Sequence, residues 1–171
     1  MLRAPDPDEY APFHAAYIAM VTEGDVRHVL RRQVPELTAM LSGVPEDRAA
    51  AGYAPGKWSL KEMLLHVIDA ERVFGYRLLR IARGDATPLP GFEQDDWVPH
   101  SGANARAMPE LLLELAAVRA ATILLVDSLA DDAWVRRGVA SGHTVSARAL
   151  AYIIAGHVRH HQGIMRERYL A

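Results

Sequence analysis

A bundle of four α-helices is the fold class this sequence predicts, and three observations carry it. Four long stretches repeat apolar residues at three- and four-residue steps, no series of alternating residues suggests a sheet, and clusters of Gly, Pro and Asp separate the stretches. The 171 residues suit one domain, 1–171, with a substantial core.

The first twenty-odd residues are punctuated by Pro5, Pro7, Pro12 and Gly24. With Tyr10, Phe13, Tyr17 and Ile18 at near-helical spacing, residues 1–23 read as an irregular arm carrying one short helix and packed on the bundle. Residues 25–43 form the first long helical pattern, with Val26, Val29, Leu30, Leu37, Met40 and Leu41 as its stripe. Pro35 should kink it or break its hydrogen-bond ladder, and Gly43 stops it. Ser59 is placed to cap a second helix running to about Arg83, with Glu62 completing a capping box. Residues 84–104 then make a Pro-, Gly- and Asp-rich loop, and long ordered loops in compact domains are often functional. The third helix runs from about 106 to 129, with Pro109 in its first turn. A connection with a hairpin-like excursion leads to the fourth, from about Thr144 to Tyr169, capped by Thr144 or Ser146.

Half the residues are apolar, about a quarter are charged, and the formal net charge is −2, so no general attraction to nucleic acid or anionic membranes is expected. With no apolar signal region and no stretch of about 20 apolar residues, no membrane partner is expected and the cytoplasm is the expected compartment. The absence of cysteine excludes disulfides, thiolate metal sites, iron–sulfur clusters and a cysteine nucleophile. Any metal chemistry must use histidine and carboxylate.

Eight histidines are present, and their placement decides more than their number. On the fourth helix, Leu150, Ile153, Ile154, His161 and Ile164 fall within about 60° of His157 on a helical wheel. His157 and His161 thus lie in the apolar stripe, one turn apart, where two imidazoles need partners or a shared ion. His160 falls about 60° to the other flank, so the wheel favours His161. The run HVRHH lacks the glutamate of a metalloprotease helix, which argues against a protease. On the second helix His66 faces inward, sharing its side with Ser59, Glu62, Asp69, Val73 and Arg77, and Glu62 or Asp69 could orient its ring. Taken alone, His66 reads as a satisfied core histidine more readily than as a ligand.

The other histidines, His14, His28, His100 and His143, read as mostly exposed, with His100 and His143 near the mouth as candidates for substrate contact. Glu71, Arg72, Glu114 and Arg166 read as solvated or surface-paired. Arg77 and Arg119, beside apolar stripes, are expected in buried salt bridges, and Trp58 and Trp97 as core plugs.

The segments PGKWSLKEMLLHVIDAERVFGYRLLRIARGD, PLPGFEQDDW, AVRAAT and VSARALAYIIAGHVRHHQGIMRERYL together resemble the DinB-like, YfiT-related superfamily, over roughly residues 24–170. The most specific parts are KWS…H and GHxxHHxxIxRERY. The resemblance implies an up-down four-helix bundle, usually a homodimer, with a divalent metal on one histidine of the second helix and an HxxxH pair of the last. Those positions are His66, His157 and His161. It further implies zinc, nickel or iron as the ion, and a low-molecular-weight thiol such as bacillithiol or mycothiol as co-substrate in some members. The family name refers to induction by DNA damage and carries no implication of DNA binding.

Two functions follow from this pattern. The first is a metal-dependent enzyme, a hydrolase or thiol-dependent transferase acting on a small molecule in stress response or detoxification. Three neutral imidazoles leave coordination positions open and the ion's charge uncompensated, which lowers the pKa of a bound water or thiol. The loop 84–104, the arm and His160 would shape its cleft. The second is a non-catalytic metal-binding bundle, which predicts a closed site with a fourth protein ligand or no cavity. A plain bundle with satisfied core histidines is the third, weaker alternative.

Overall fold

The computed structural model describes residues 3–171; Met1 and Leu2, the start of the expected arm, lie outside the described residues. The arm makes 3-10 turns at Pro7–Glu9 and Pro12–His14 and then a short helix α1, Ala15–Ala19. Helix α2 spans Val26–Leu41, capped by the Asp25 carboxylate on the Arg27 amide at 3.0 Å. It does not break at Pro35. That residue is exposed, while Leu30, Gln33 and Leu37 on either side of it are buried and hold the helix to the core.

A one-turn helix α3, Glu46–Ala49, precedes α4, Leu60–Ala82. The loop after α4 contains α5, Gln94–Trp97, and 3-10 turns at Val98–His100 and Ala103–Ala105. Helix α6 is Met108–Asp127. The hairpin-like excursion is a true hairpin: β1, Arg137–Ala140, pairs antiparallel with β2, His143–Ser146, in the register Arg137↔Ser146 to Ala140↔His143. Its two turn residues, Ser141 and Gly142, have φ of 53° and 79°, the left-handed pair that a tight two-residue hairpin demands. Thr144 therefore belongs to β2, and Ser146 alone caps α7, Ala147–Ile164, which ends in a π-helical turn, Met165–Tyr169.

The long helices α2, α4, α6 and α7 form the bundle. α2 packs on α6 and α7, and α4 packs on the same two. Helices α2 and α4, consecutive among the long ones, thus face each other across the bundle. Its apolar interior falls into two clusters. One gathers the arm, the hairpin, the start of α2 and α7 and the end of α4; the other gathers the opposite halves. Where they meet, a polar network spans all four helices. The Arg119 guanidinium donates two bonds of 2.7 Å to Glu71 and bonds of 2.8 Å to Gln33 Oε1 and the Leu30 carbonyl, while Gln33 donates to the Ala155 carbonyl at 2.7 Å. Glu71 is thus buried rather than solvated, because Arg119 reaches it from another helix.

The arm is held by a second buried pair. Arg148 binds Glu9, and Ser146 Oγ donates to Glu9 Oε2 at 2.6 Å. Burial pushes the Glu9 carboxyl up, but these hydrogen bonds outweigh it and hold it down at about 2. Among the described residues, no helix is long and apolar enough to cross a membrane.

Candidate metal centre

The two helices that supply the candidate ligands start at well-defined points. Ser59 Oγ accepts from the Glu62 amide at 3.0 Å and Glu62 returns a bond of 2.7 Å to the Ser59 amide. Ser146 Oγ accepts from the Ala149 amide at 3.0 Å. His66 projects from α4 and His157 and His161 from α7, the most extensively packed helix pair in the molecule, and all three are buried.

Their Nε2 atoms converge. His157 Nε2 lies 3.1 Å from His66 Nε2 and 3.1 Å from His161 Nε2. Hydrogen bonds alone do not satisfy this arrangement: a neutral imidazole nitrogen carries either one proton or one lone pair, so His157 Nε2 makes one linear bond, not two. A shared ion does satisfy it, since two nitrogens about 2.0–2.1 Å from one zinc stand roughly 3 Å apart. His161 Nδ1 is also buried without a hydrogen-bond partner. Among the described residues, this is the one group of histidine, aspartate or glutamate side chains placed to share a cation.

Electrostatics keep the three rings in their uncharged, ligating form. Burial lowers His66 to about 4, with Asp95 opposing it, and burial together with His66 and His160 lowers His161 to about 3. Burial, then His161 and His66, lowers His157 well below the ordinary histidine value. Apolar and aromatic rings wall the cluster: Trp58 lies 5.1 Å from His66, and Tyr17 and Phe74 lie 5.5 and 5.7 Å from His157 between ring centroids. Tyr17 reaches His157 because the residue before it is Gly156. A Cβ there would fall 2.0 Å from the Tyr17 carbonyl oxygen, so only glycine lets α1 lie on α7.

Two cavities reach the histidines without sharing a lining residue. One of about 450 Å³ runs from His157 past Tyr17, Phe74 and Arg77 to His14 and His143. The other, about 510 Å³, meets His161 between Trp58, Asp95 and Tyr169.

Several expectations need correction. Neither Glu62 nor Asp69 bonds to His66: Glu62 is committed to the α4 cap and Asn104, and Asp69 to Arg72. His160 stays out of the Nε2 cluster, as the wheel expects, but it packs on Tyr17 at 5.4 Å and lines neither cavity, contrary to its expected place in the cleft. His14 is half-buried in the first cavity, with an unpartnered Nδ1, because the arm folds back over α7; burial, then Arg77 and His143, lowers it to about 4. His143 is exposed at the rim of that cavity, whereas His28 and His100 are exposed and line neither cavity. Arg77 has no acidic partner; it donates to the Pro90 carbonyl at 2.6 Å and to Ser141 Oγ at 2.9 Å. Trp97 is 45% exposed and stacks at 5.0 Å on Phe92, while Trp58 is half-buried beside His66. Arg72 and Glu114 do form a surface pair at 2.6 Å, and Arg166 is exposed. Gly156 and Ser141 were missed; a glycine inside an apolar helical stripe was the available signal for the first.

The bundle and the histidines converging from its second and last long helices define a class of four-helix protein. The chain belongs to the DinB superfamily, whose profile matches residues 30–165. Among solved structures it is similar to YfiT from Bacillus subtilis, described as a probable metal-dependent hydrolase with an unusual four-helix bundle topology. The TM-score is 0.72 at 14% identity over 92% of this chain and 93% of that one. It is also similar to a mycothiol-dependent maleylpyruvate isomerase, with a TM-score of 0.65 at 16% identity, over 80% of this chain and 58% of that one. No curated protein sequence matches the chain.

Proposed function

We propose that the protein is a metal-dependent enzyme acting on a small organic molecule, with a divalent cation held by His66, His157 and His161. The observation that carries this reading is His157. Its Nε2 stands 3.1 Å from both other Nε2 atoms, and the same residue lines a cavity of about 450 Å³. A divalent ion there would supply Lewis acidity, polarising a substrate oxygen or lowering the pKa of a water or thiol. The chain's own contribution is to keep three imidazoles neutral at pH 7 and to screen them from bulk water with Trp58, Phe74 and Tyr17. Three imidazoles suit zinc, nickel or iron.

A closed, non-catalytic metal module is the competing reading. The absence of a fourth histidine or carboxylate from the cluster, among the described residues, and the two cavities meeting it favour the enzyme. Hydrolysis and thiol-dependent chemistry, whether group transfer or isomerisation, are the reaction classes in view; the descriptions of the two structural neighbours name a probable hydrolase and a thiol-dependent isomerase. A chain without cysteine would take its thiol, bacillithiol or mycothiol, from solution.

The test is elemental analysis of the purified protein with a parallel screen of esters, amides and electrophiles, with and without added thiol. About one equivalent of metal is expected, lost in His157→Ala and retained in His160→Ala. Less than roughly a tenth of an equivalent after loading would end the metal reading. Turnover that survives His157→Ala would end the metal-centred mechanism.

A further inference from the structure

Three arginines are buried among the described residues, and two of them face acids. Arg119 is matched by Glu71 and Arg148 by Glu9. Arg77 is 5% exposed and has no ion pair. Its Nη2 donates to the Pro90 carbonyl and to Ser141 Oγ, while Nε and Nη1 donate to no protein group and retain contact with solvent. Its guanidinium carbon lies 5.9 Å from the Phe74 ring centroid and 5.7 Å from that of Phe92. Burial alone lowers its pKa, with no acid acting against it. A cation this buried, in touch with solvent only through the cavity and without a counter-ion, is costly unless something else supplies the negative charge.

The surroundings hold that guanidinium in place. The loop after α4 is laced to the hairpin, Leu89 N donating to the Val139 carbonyl at 2.9 Å and Ser141 N to the Leu89 carbonyl at 3.0 Å. Both acceptors of Arg77 therefore sit on one stitched unit. Arg77 lines the cavity that extends to His157, in company with Phe74, Phe92, Tyr17 and the unsatisfied His14. The one acid on that cavity, Glu93, is exposed and forms no ion pair. Arg77 also borders a more apolar groove containing Asp69, but that carboxylate is paired with Arg72 at 3.1 Å.

We propose that Arg77 anchors the anionic group, a carboxylate or a phosphate, of an otherwise apolar small substrate that fills this cavity and reaches His157. The guanidinium fork suits two oxygens of either group, and the aromatic walls suit the remainder. The assignment rests on the reading that this cavity serves the histidine centre.

Calorimetric titration of the zinc-loaded protein with benzoate, phenyl phosphate and neutral benzamide tests it. One of the two anions is expected to bind at least about tenfold more tightly than benzamide, and which one does so separates a carboxylate substrate from a phosphate. Arg77→Gln, and Arg77→Lys, which keeps the charge but loses the fork, should weaken that anion by about tenfold or more and leave benzamide unchanged. Equal binding of anions and amide to the natural protein overturns the proposal without need of a variant. So does unchanged anion affinity in a folded Arg77→Gln protein, the result expected if the anion sits on zinc instead. Zinc content read on the same samples keeps the two readings apart. Full zinc with no anion preference sinks the anchor alone; no zinc with an Arg77-dependent preference sinks the metal centre alone.

Discussion

The polar interior of this protein is built in two ways. Where α2, α4, α6 and α7 meet, Arg119, Glu71 and Gln33 are buried and their charges and hydrogen bonds are matched within the protein. The Glu9–Arg148 pair that ties down the arm is matched in the same way. A few residues further along the same helices, His66, His157, His161 and Arg77 are equally buried but are bases and a cation without a carboxylate. The first arrangement completes itself on folding. The second leaves the cluster without an acid to answer it among the described residues, and two cavities reach it. Burial with satisfaction goes with structure here, and burial without it picks out the candidate site.

The largest effect expected from breaking this contrast is on the matched side. Glu71→Ala would strand the Arg119 charge in the core and cost about 3–5 kcal/mol of stability, measured by urea denaturation followed by circular dichroism. A loss below about 1 kcal/mol would show that the network does not hold the four helices together.

Acid should separate the two regions by pH. His66 and His161 are neutral when folded, at about 4 and about 3, but regain the ordinary value of 6.5 when unfolded. Below 6.5 the unfolded chain binds more protons, so their contribution is complete above that pH and is lost as pH falls toward 4 for His66 and toward 3 for His161. The Glu9 carboxylate, held at about 2 against 4.5, contributes above 4.5 and is lost only as pH falls from there toward 2. Metal-free protein should therefore lose on the order of a few kcal/mol between pH 7 and 5, while the arm stays docked. Urea midpoints across that range, with limited proteolysis of the arm, measure both; a flat profile would mean that the folded histidines protonate freely.

Gly156→Ala is expected to have a smaller effect, about 1–3 kcal/mol, because the new methyl displaces α1 from α7 rather than opening the core. Faster proteolysis after the arm, with α7 still helical, is the predicted signature. The smallest effect belongs to Arg77→Met. Removing an unmatched buried cation should change stability by less than about 1 kcal/mol in either direction, in contrast to Glu71→Ala. A cost as large as that of Glu71→Ala would make Arg77 structural and remove the contrast.

The long helices, the Ser59–Glu62 cap and the one-turn spacing of His157 and His161 were legible in the sequence, because each depends on residues within a turn or two of one another. The wheel likewise separated His161 from His160, since rotation about a helix axis is a local property, and it set Arg77 on the same side of α4 as His66. Partnership across elements was not legible. Glu71 looked solvated because Arg119 lies 48 residues away, and Arg77 looked paired because nothing local shows that its neighbours are a carbonyl and a hydroxyl. His14 looked exposed because its burial depends on the arm crossing Gly156. Periodicity carries which face of a helix is buried. Which residue meets that face, and whether its charge is answered, was decided only when the four helices and the arm came together.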